Sequence, residues 1–459
     1  MRHKTVAAML DNLWDGKWKE YLLPLSFTLA GITNFIFYYL GFAYVENPVR
    51  QYGFAAVRIL FAVLCGFLFL ASLRHGKLSG KTWVLVGFAA AFFAFSFAEG
   101  LRRVGYNEYW LEYFTHAVCF VLPAFLAGIC CALSRSEKAF LQRMEQLSFF
   151  LLPGAVVYFN FSIFNVNPSL NQRLLGTMGY MFVADSIMPV LLAHMLCFAQ
   201  NADWKLPLIG RKAGRPQLLR AGFILIYWIA IIGTGTRGII LSMLGFCIVW
   251  IISSIRSKDY FFRALCLSLA MCGLLMFTLY VYEPPGMSMG GAAARMQNFI
   301  SDSLGANEFV TSTTKESAEL LERLDEIVAS PEECPYEVIS RGTLFRFAWQ
   351  EFLKSPLTGM GLSGYRVKYR LYPHNAVLEA LTETGALGGL YLALVLYTFI
   401  KLWRKAAQDV SVKAVMLFLT AYAILANISG SIWMCDSLAF GLGFGLTWRP
   451  LVEDHAGSK

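Results

Sequence analysis

Charge is scarce in this sequence. Asp, Glu, Lys and Arg make up 15% of its 459 residues, against roughly 25% in a soluble globular domain. With 57% apolar residues and a mean hydropathy of +0.53, the shortage excludes a soluble enzyme and predicts a polytopic membrane protein. The ten cysteines contain no C-x-x-C spacing, and most lie inside apolar runs, where a thiol packs as a small hydrophobe. Cys334 lies outside those runs and Cys435 at the start of the last one, and the two could meet on one side of the membrane. A cleavage site is missing after the first long apolar run, so that run reads as a retained span. No internal repeat is visible, which argues against a transporter or flippase built from paired repeats. The net charge of +9 does not point to nucleic acid, because the cations sit in short loops between apolar runs.

Those runs, of roughly 17–25 residues, are expected near 22–44, 54–73, 82–98, 114–133, 147–165, 180–199, 220–234, 238–255, 262–282, 375–400, 411–430 and 433–448. Cations gather at Arg74–Lys81, Arg135–Arg143, Lys205–Arg220, Arg256–Arg263 and Lys401–Lys413, all on even-numbered loops. The positive-inside rule then puts both termini in the cytoplasm. The expected fold is all-α and polytopic: about twelve transmembrane helices, with one large helical periplasmic loop between spans 9 and 10. The expected divisions are spans 1–9 over residues 1–282, the loop over 283–374, and spans 10–12 with a tail over 375–459. An acidic stretch from Thr314 to Ala329 reads as a solvated helix or lid without chemistry.

Polar residues concentrate from Arg341 to Gly389. Arg341, Phe345, Ala348 and Phe352 have helical spacing, which aligns a guanidinium with an apolar stripe. A buried guanidinium needs an anionic partner, either a structural glutamate or a ligand. Arg346, Gln350 and Lys354 share another, wetter face. Ser355-Pro356 ends the helix. Gly359, Gly361 and Gly364 follow, allowing unusual backbone and close approach of a ligand, or forming a plain loop. Arg366, Lys368 and Arg370 form a basic run with no acid between them, suited to phosphate or lipid headgroups, or simply to solvent. His374 precedes Asn375, a good helix cap. The positive helix end and the nearby cations disfavour imidazolium, and a neutral imidazole can act as a general base. A histidine that merely hydrogen-bonds at the interface is the bland alternative.

Arg237 is the second polar point. From Arg220 to Arg256 there are 36 positions for two crossings and a turn. Each leg reaches about 27 Å, a little short of a core about 30 Å thick. The turn Thr234–Gly238 should therefore sink below the outer face, and an arginine at membrane depth is a functional candidate. Arg58, Glu99 and Asp185 also lie in or beside spans and could form structural pairs.

Three local patterns then line up: Thr-Gly-Thr-Arg237-Gly; Arg341-x-x-x-Phe with Pro356-x-x-Gly-x-Gly; and His374-Asn375, nine residues, then Gly385-x-x-Gly388. Together they resemble the O-antigen ligase superfamily, which includes O-antigen polymerases and bacterial protein O-oligosaccharyltransferases. The His-Asn spacing resembles the ligase branch in particular. Phe345 stands where the family often has Trp. The resemblance implies an inverting, metal-independent glycosyl transfer on the periplasmic face, without a cofactor. The donor would be a glycan on undecaprenyl pyrophosphate and the acceptor a hydroxyl of lipid A-core. Arg237 and Arg341 match the family's pyrophosphate-binding arginines, and His374 its catalytic histidine. Arg346, Asn375, Arg366, Lys368, Arg370, Glu379 and Glu383 are supporting candidates. The two glutamates are expected in the first turns of the tenth span, favouring the positive helix end, with orientation of the imidazole as the other option.

Overall fold

The computed structural model of the chain describes residues 11–12, 14–40, 48–75, 78–164, 180–202, 215–234, 236–280, 341–406 and 409–449. Every regular element among them is helical. In chain order the helices are α1 (Leu22–Tyr39), α2 (Pro48–His75), α3 (Gly80–Val104), α4 (Glu108–His116), α5 (Leu122–Ser134), α6 (Phe140–Phe164), α7 (Tyr180–Gln200), α8 (Pro216–Thr234), α9 (Arg237–Ser254) and α10 (Lys258–Tyr280). After the undescribed residues 281–340 come α11 (Arg341–Lys354), α12 (Gly364–Tyr369), α13 (Ala376–Thr384), α14 (Ala386–Ala406), α15 (Val410–Ser429) and α16 (Asp436–Thr447). A π-helical stretch, Ala117–Val121, joins α4 to α5 in one continuous rod. Cys334 and the acidic stretch Thr314–Ala329 lie outside the described residues.

Nine helices among the described residues are long and apolar enough to cross a membrane. The protein is a polytopic helical membrane protein. Four of the twelve expected spans take a different form: the fifth, over 147–165, is not among the nine, and the eighth, over 238–255, is a shorter apolar helix, Gly238–Ser254. The tenth, expected as one helix over 375–400, breaks at Gly385, whose φ of +60° an ordinary residue adopts only with strain. The apolar crossing begins at Ala386, and His374 therefore precedes a separate nine-residue helix, α13. The last span shrinks to α16, whose twelve residues rise only about 18 Å. That falls well short of a hydrocarbon core about 30 Å thick.

Helix α16 is buried along its length, and the cause is its glycines. A Cβ at Gly443 would run into the Phe125 carbonyl, and one at Gly128 into that of Phe440. Small residues at these crossings let α5 and α16 touch backbone to backbone.

Charge inside the bundle is paired. Arg220, grouped by sequence with loop cations, is fully buried in α8 and forms a two-pronged pair with Glu145 of α6, at 2.6 and 3.0 Å. His194 of α7 packs beside them, with Nε2 3.0 Å from the Ser148 hydroxyl, and Tyr227 donates to the Ser148 carbonyl at 2.8 Å. Three helices are pinned by one acid and its donors. Glu99 pairs with Arg102 and Arg103 at the end of α3. Arg58 lies between the rings of Phe54 and Phe120.

Candidate functional site

Helix α11 forms because Leu344, Phe347, Ala348 and Glu351 repeat at helical spacing, and all four are buried. The buried stripe is rotated from the expected one. Phe345 and Phe352 are half-buried, and Trp349 and Leu353 face outward. The stripe packs on α12, where Phe347 stacks on Tyr369 at 5.1 Å and the Tyr365 hydroxyl donates to the Leu344 carbonyl at 2.9 Å. Arg341 stands three residues before Leu344 and seven before Ala348, so its backbone position belongs to this side of the helix. Arg346 is half-buried, with its guanidinium 5.8 Å from the Phe347 ring.

Glu351 is the acid of this face. It accepts from Lys354 at 2.7 Å, Lys368 at 2.8 Å and the Tyr369 hydroxyl at 2.9 Å. Burial pushes its carboxyl up, but these donors outweigh burial and hold it below its ordinary value.

The glycine turn serves α13. The Met360 and Gly361 N–H groups donate to the Thr382 and Glu383 carbonyls at 2.8 and 2.9 Å, satisfying acceptors that the end of a helix leaves open. Gly359 has φ +65°, and a Cβ there would strike the Glu383 carbonyl. The close approach that glycine permits is therefore to the chain's own helix. Arg103 of α3 donates to the Gly359 carbonyl at 2.9 Å, tying the turn to a span.

The basic run is divided. Arg366 pairs with Glu112 at 2.8 Å and lies 4.5 Å from the Tyr109 ring. Lys368 is held by Glu351, and Arg370 is exposed in left-handed backbone. Neutralising acids for the first two come from α4 and α11, which a sequence window over the run does not contain.

His374 is 8% exposed and has φ +54°, an uncommon conformation for a non-glycine residue. Its ring packs on Tyr372 at 4.0 Å. Asn375 caps α13 as expected, accepting from the Leu378 N–H at 2.9 Å, and its amide donates to the Asn427 carbonyl at 2.9 Å. The histidine is thus fixed between a ring on one side and a capped helix tied to α15 on the other.

Glu379 and Glu383 do not share one dipole role. Glu379 is in the first turn, where the helix dipole favours an anion. Glu383 is one residue from the end, because α13 stops at Thr384, and there the dipole disfavours it. Both are buried, at 0% and 1% exposure. Glu379 accepts from the Tyr113 hydroxyl at 3.0 Å and the Ile432 N–H at 2.8 Å, and Glu383 from the Trp433 indole at 2.7 Å. Burial raises both carboxyls, Glu379 to about 7. Glu383 goes well above its ordinary value because the Glu379 charge adds to burial.

Arg237 and Arg341 are each the first residue of a helix, α9 and α11, and His374 stands next to the cap of α13. All three sequence-predicted residues therefore occupy helix starts, where unbonded N–H groups and the positive dipole end collect. The turn before Arg237 spans only two residues, and its Thr234 and Thr236 are buried, with hydroxyls 2.9 Å apart. The O-antigen ligase family model matches residues 222–393. The match supports the O-antigen ligase superfamily for this chain. This is a glycosyltransferase-like group of ligases and polymerases. The match covers Arg237, Arg341, His374 and both glutamates. It stops short of Ser431, Ile432 and Trp433 and begins after Tyr113. No curated protein matches the chain.

Sequence reasoning missed those four residues and Glu112. Each contacts the Arg341–Gly389 segment from a distance of 50 or more positions. The one available hint was a cluster of aromatics and polar residues at both places.

Proposed function

We propose that the protein is an O-antigen ligase of the bacterial inner membrane. It transfers a polysaccharide from undecaprenyl pyrophosphate to a hydroxyl of lipid A-core on the periplasmic face, with both termini in the cytoplasm. The reading rests on one observation above all. A buried histidine in constrained backbone sits beside a capped helix start, inside the stretch that matches the O-antigen ligase family.

Each residue has a role that chemistry requires. The leaving lipid diphosphate gains charge as the glycosidic bond breaks. Arg237 and Arg341 neutralise it with planar, two-pronged contacts and without a metal. His374, kept neutral by the helix end, takes the proton of the acceptor hydroxyl. Attack opposite the diphosphate inverts the anomeric centre. Arg346 and the exposed Arg370 add positive field, Lys368 supports α11 through Glu351, and Arg366 supports the layer through Glu112. Asn375 holds the helix that carries the histidine. Residues 283–374 form the periplasmic domain in this reading, between spans over 1–282 and 375–459, and the acceptor is chosen there.

The decisive experiment is reconstitution of purified protein with a lipid-linked glycan and alternative acceptors. Transfer to lipid A-core, insensitive to chelator, is expected. Extension of the lipid-linked glycan without transfer to core would make the protein a polymerase, and transfer to a polypeptide would make it a protein glycosyltransferase.

A further inference from the structure

The acid pair on α13 carries an inference that rests on the reading of His374 as base and deepens it. Glu379 and Glu383 are one turn apart, so their side chains share a helix face. Both are buried. The cation that acts on both is Arg366, and its guanidinium is already bonded to Glu112 and laid on Tyr109 and Tyr113. Two adjacent carboxylates without solvent and with a shared, committed cation do not both ionise.

Two independent features decide which one keeps the proton. The first is donors. Glu379 accepts from Tyr113 and Ile432, with the Ser431 hydroxyl also bonded to it. Glu383 accepts from Trp433, with the Ser363 backbone also acting on it, and its Oε1 is buried with no hydrogen-bond partner at ordinary distance among the described residues. A bare oxygen costs far less on a neutral carboxyl than on a carboxylate. The second is the helix dipole, which favours an anion at Glu379 and opposes one at Glu383.

We propose that at about pH 8 Glu379 is ionised and Glu383 holds one proton, and that this pair positions the helix carrying His374. Glu379 is a positioning residue. Its carboxylate ties α13 to α4 through Tyr113 and to the turn before α16 through Ser431 and Ile432. The Glu383 carboxyl adds Trp433 of the same turn. Other charged or titratable groups near α13 include Glu112 and Tyr113 of α4, Arg366, Tyr365 and Tyr369 of α12, Glu351 of α11, Cys435, and Arg103 of α3 at the glycine turn. Glu351 is already saturated by Lys354, Lys368 and Tyr369, so the proton is confined to the pair.

The test uses full-length protein in lipid nanodiscs and infrared spectroscopy of protonated carboxyl groups at about pH 8, above the ordinary carboxyl range. The band from a buried protonated carboxyl should be present in the wild type and lost in Glu383→Gln. In Glu379→Gln the band should remain. Persistence of the band in Glu383→Gln would overturn the assignment. The positioning role is read separately, by the rate at which diethyl pyrocarbonate modifies His374, followed on the His374 peptide. Glu383→Gln keeps a neutral side chain of the same shape and should leave that rate within about twofold. Glu379→Gln loses charge-assisted bonds and should change it about tenfold. If Glu379→Gln does not fold, Glu379→Asp, which keeps the charge on a shorter arm, replaces it and should show an intermediate change. Equal rates in all variants would sink the positioning role. None of these measurements depends on glycosyl transfer, so they fail or succeed independently of whether His374 is the base.

Discussion

Two buried acid clusters sit in this protein, and they are built differently. Around Glu145, both oxygens face the Arg220 guanidinium, and His194, Ser148 and Tyr227 complete the set. Around Glu379 and Glu383 there are two acids, a cation committed elsewhere and one oxygen without a partner at ordinary distance among the described residues. The first cluster is closed and pins α6, α7 and α8 together. The second is under-supplied, and it lies beneath the helix that begins next to His374. Closed charge pairs hold spans in place, whereas an unbalanced one next to a candidate base leaves a group free to titrate.

Breaking the closed cluster should do the most damage. Glu145→Ala strands a fully buried guanidinium, and removing one partner of such a pair costs about 3–5 kcal/mol. A thermal melt in detergent or nanodiscs should show a large loss of stability, and Arg220→Met/Glu145→Met together should recover much of it. Gly359→Ala comes next. It places a Cβ against the Glu383 carbonyl in left-handed backbone, a strain of about 1–3 kcal/mol, read as a lower melting temperature. Arg366→Ala should cost least in stability, about 1 kcal/mol or less, because its partner Glu112 is exposed. It removes the cation that acts on the acid pair, however, so the protonated-carboxyl band should persist to higher pH.

The two acids of the site also predict opposite pH trends. The Glu351 carboxyl is held below its ordinary value. Its contribution to stability is present above that ordinary value and is lost as pH falls through the lowered one. Glu379 and Glu383 are raised, so the native state holds their proton more tightly than the unfolded chain. Their contribution is complete below the ordinary carboxyl range and is lost as pH rises through about 7 and beyond. Melts of the wild type and Glu383→Gln from acid to alkaline pH separate the two. The glutamine variant should lose the part of the alkaline decline that Glu383 carries and keep the acid one.

Much of this was legible in the sequence where the cause is local. Ser355-Pro356 ends α11, and Asn375 caps α13 through its own side chain. The apolar runs become helices with shifted ends, because twenty apolar residues in a row have few other uses. What was not legible depends on partners far along the chain. The sequence does not show that Glu112 takes Arg366, that Glu351 takes Lys368, or that Arg220 lies inside the bundle instead of in a loop. The expected tenth span failed for a subtler reason. Thr382-Glu-Thr-Gly385 interrupts its apolar run, and the packing of that glycine beside Leu357 and the turn after it makes the chain break there. The stripe of α11 was rotated because Glu351, a charged residue, takes a buried position that a hydrophobic pattern gives to Phe352.

The central claim is that His374 deprotonates the acceptor while Arg237 and Arg341 hold the diphosphate. The most direct measurement is single-turnover transfer by purified wild type and His374→Ala in nanodiscs, with undecaprenyl-pyrophosphate glycan and lipid A-core, alongside binding of the labelled donor. The account predicts donor binding close to wild type and a transfer rate lower by about 100-fold to 10,000-fold. Transfer by His374→Ala at a rate near wild type would contradict it.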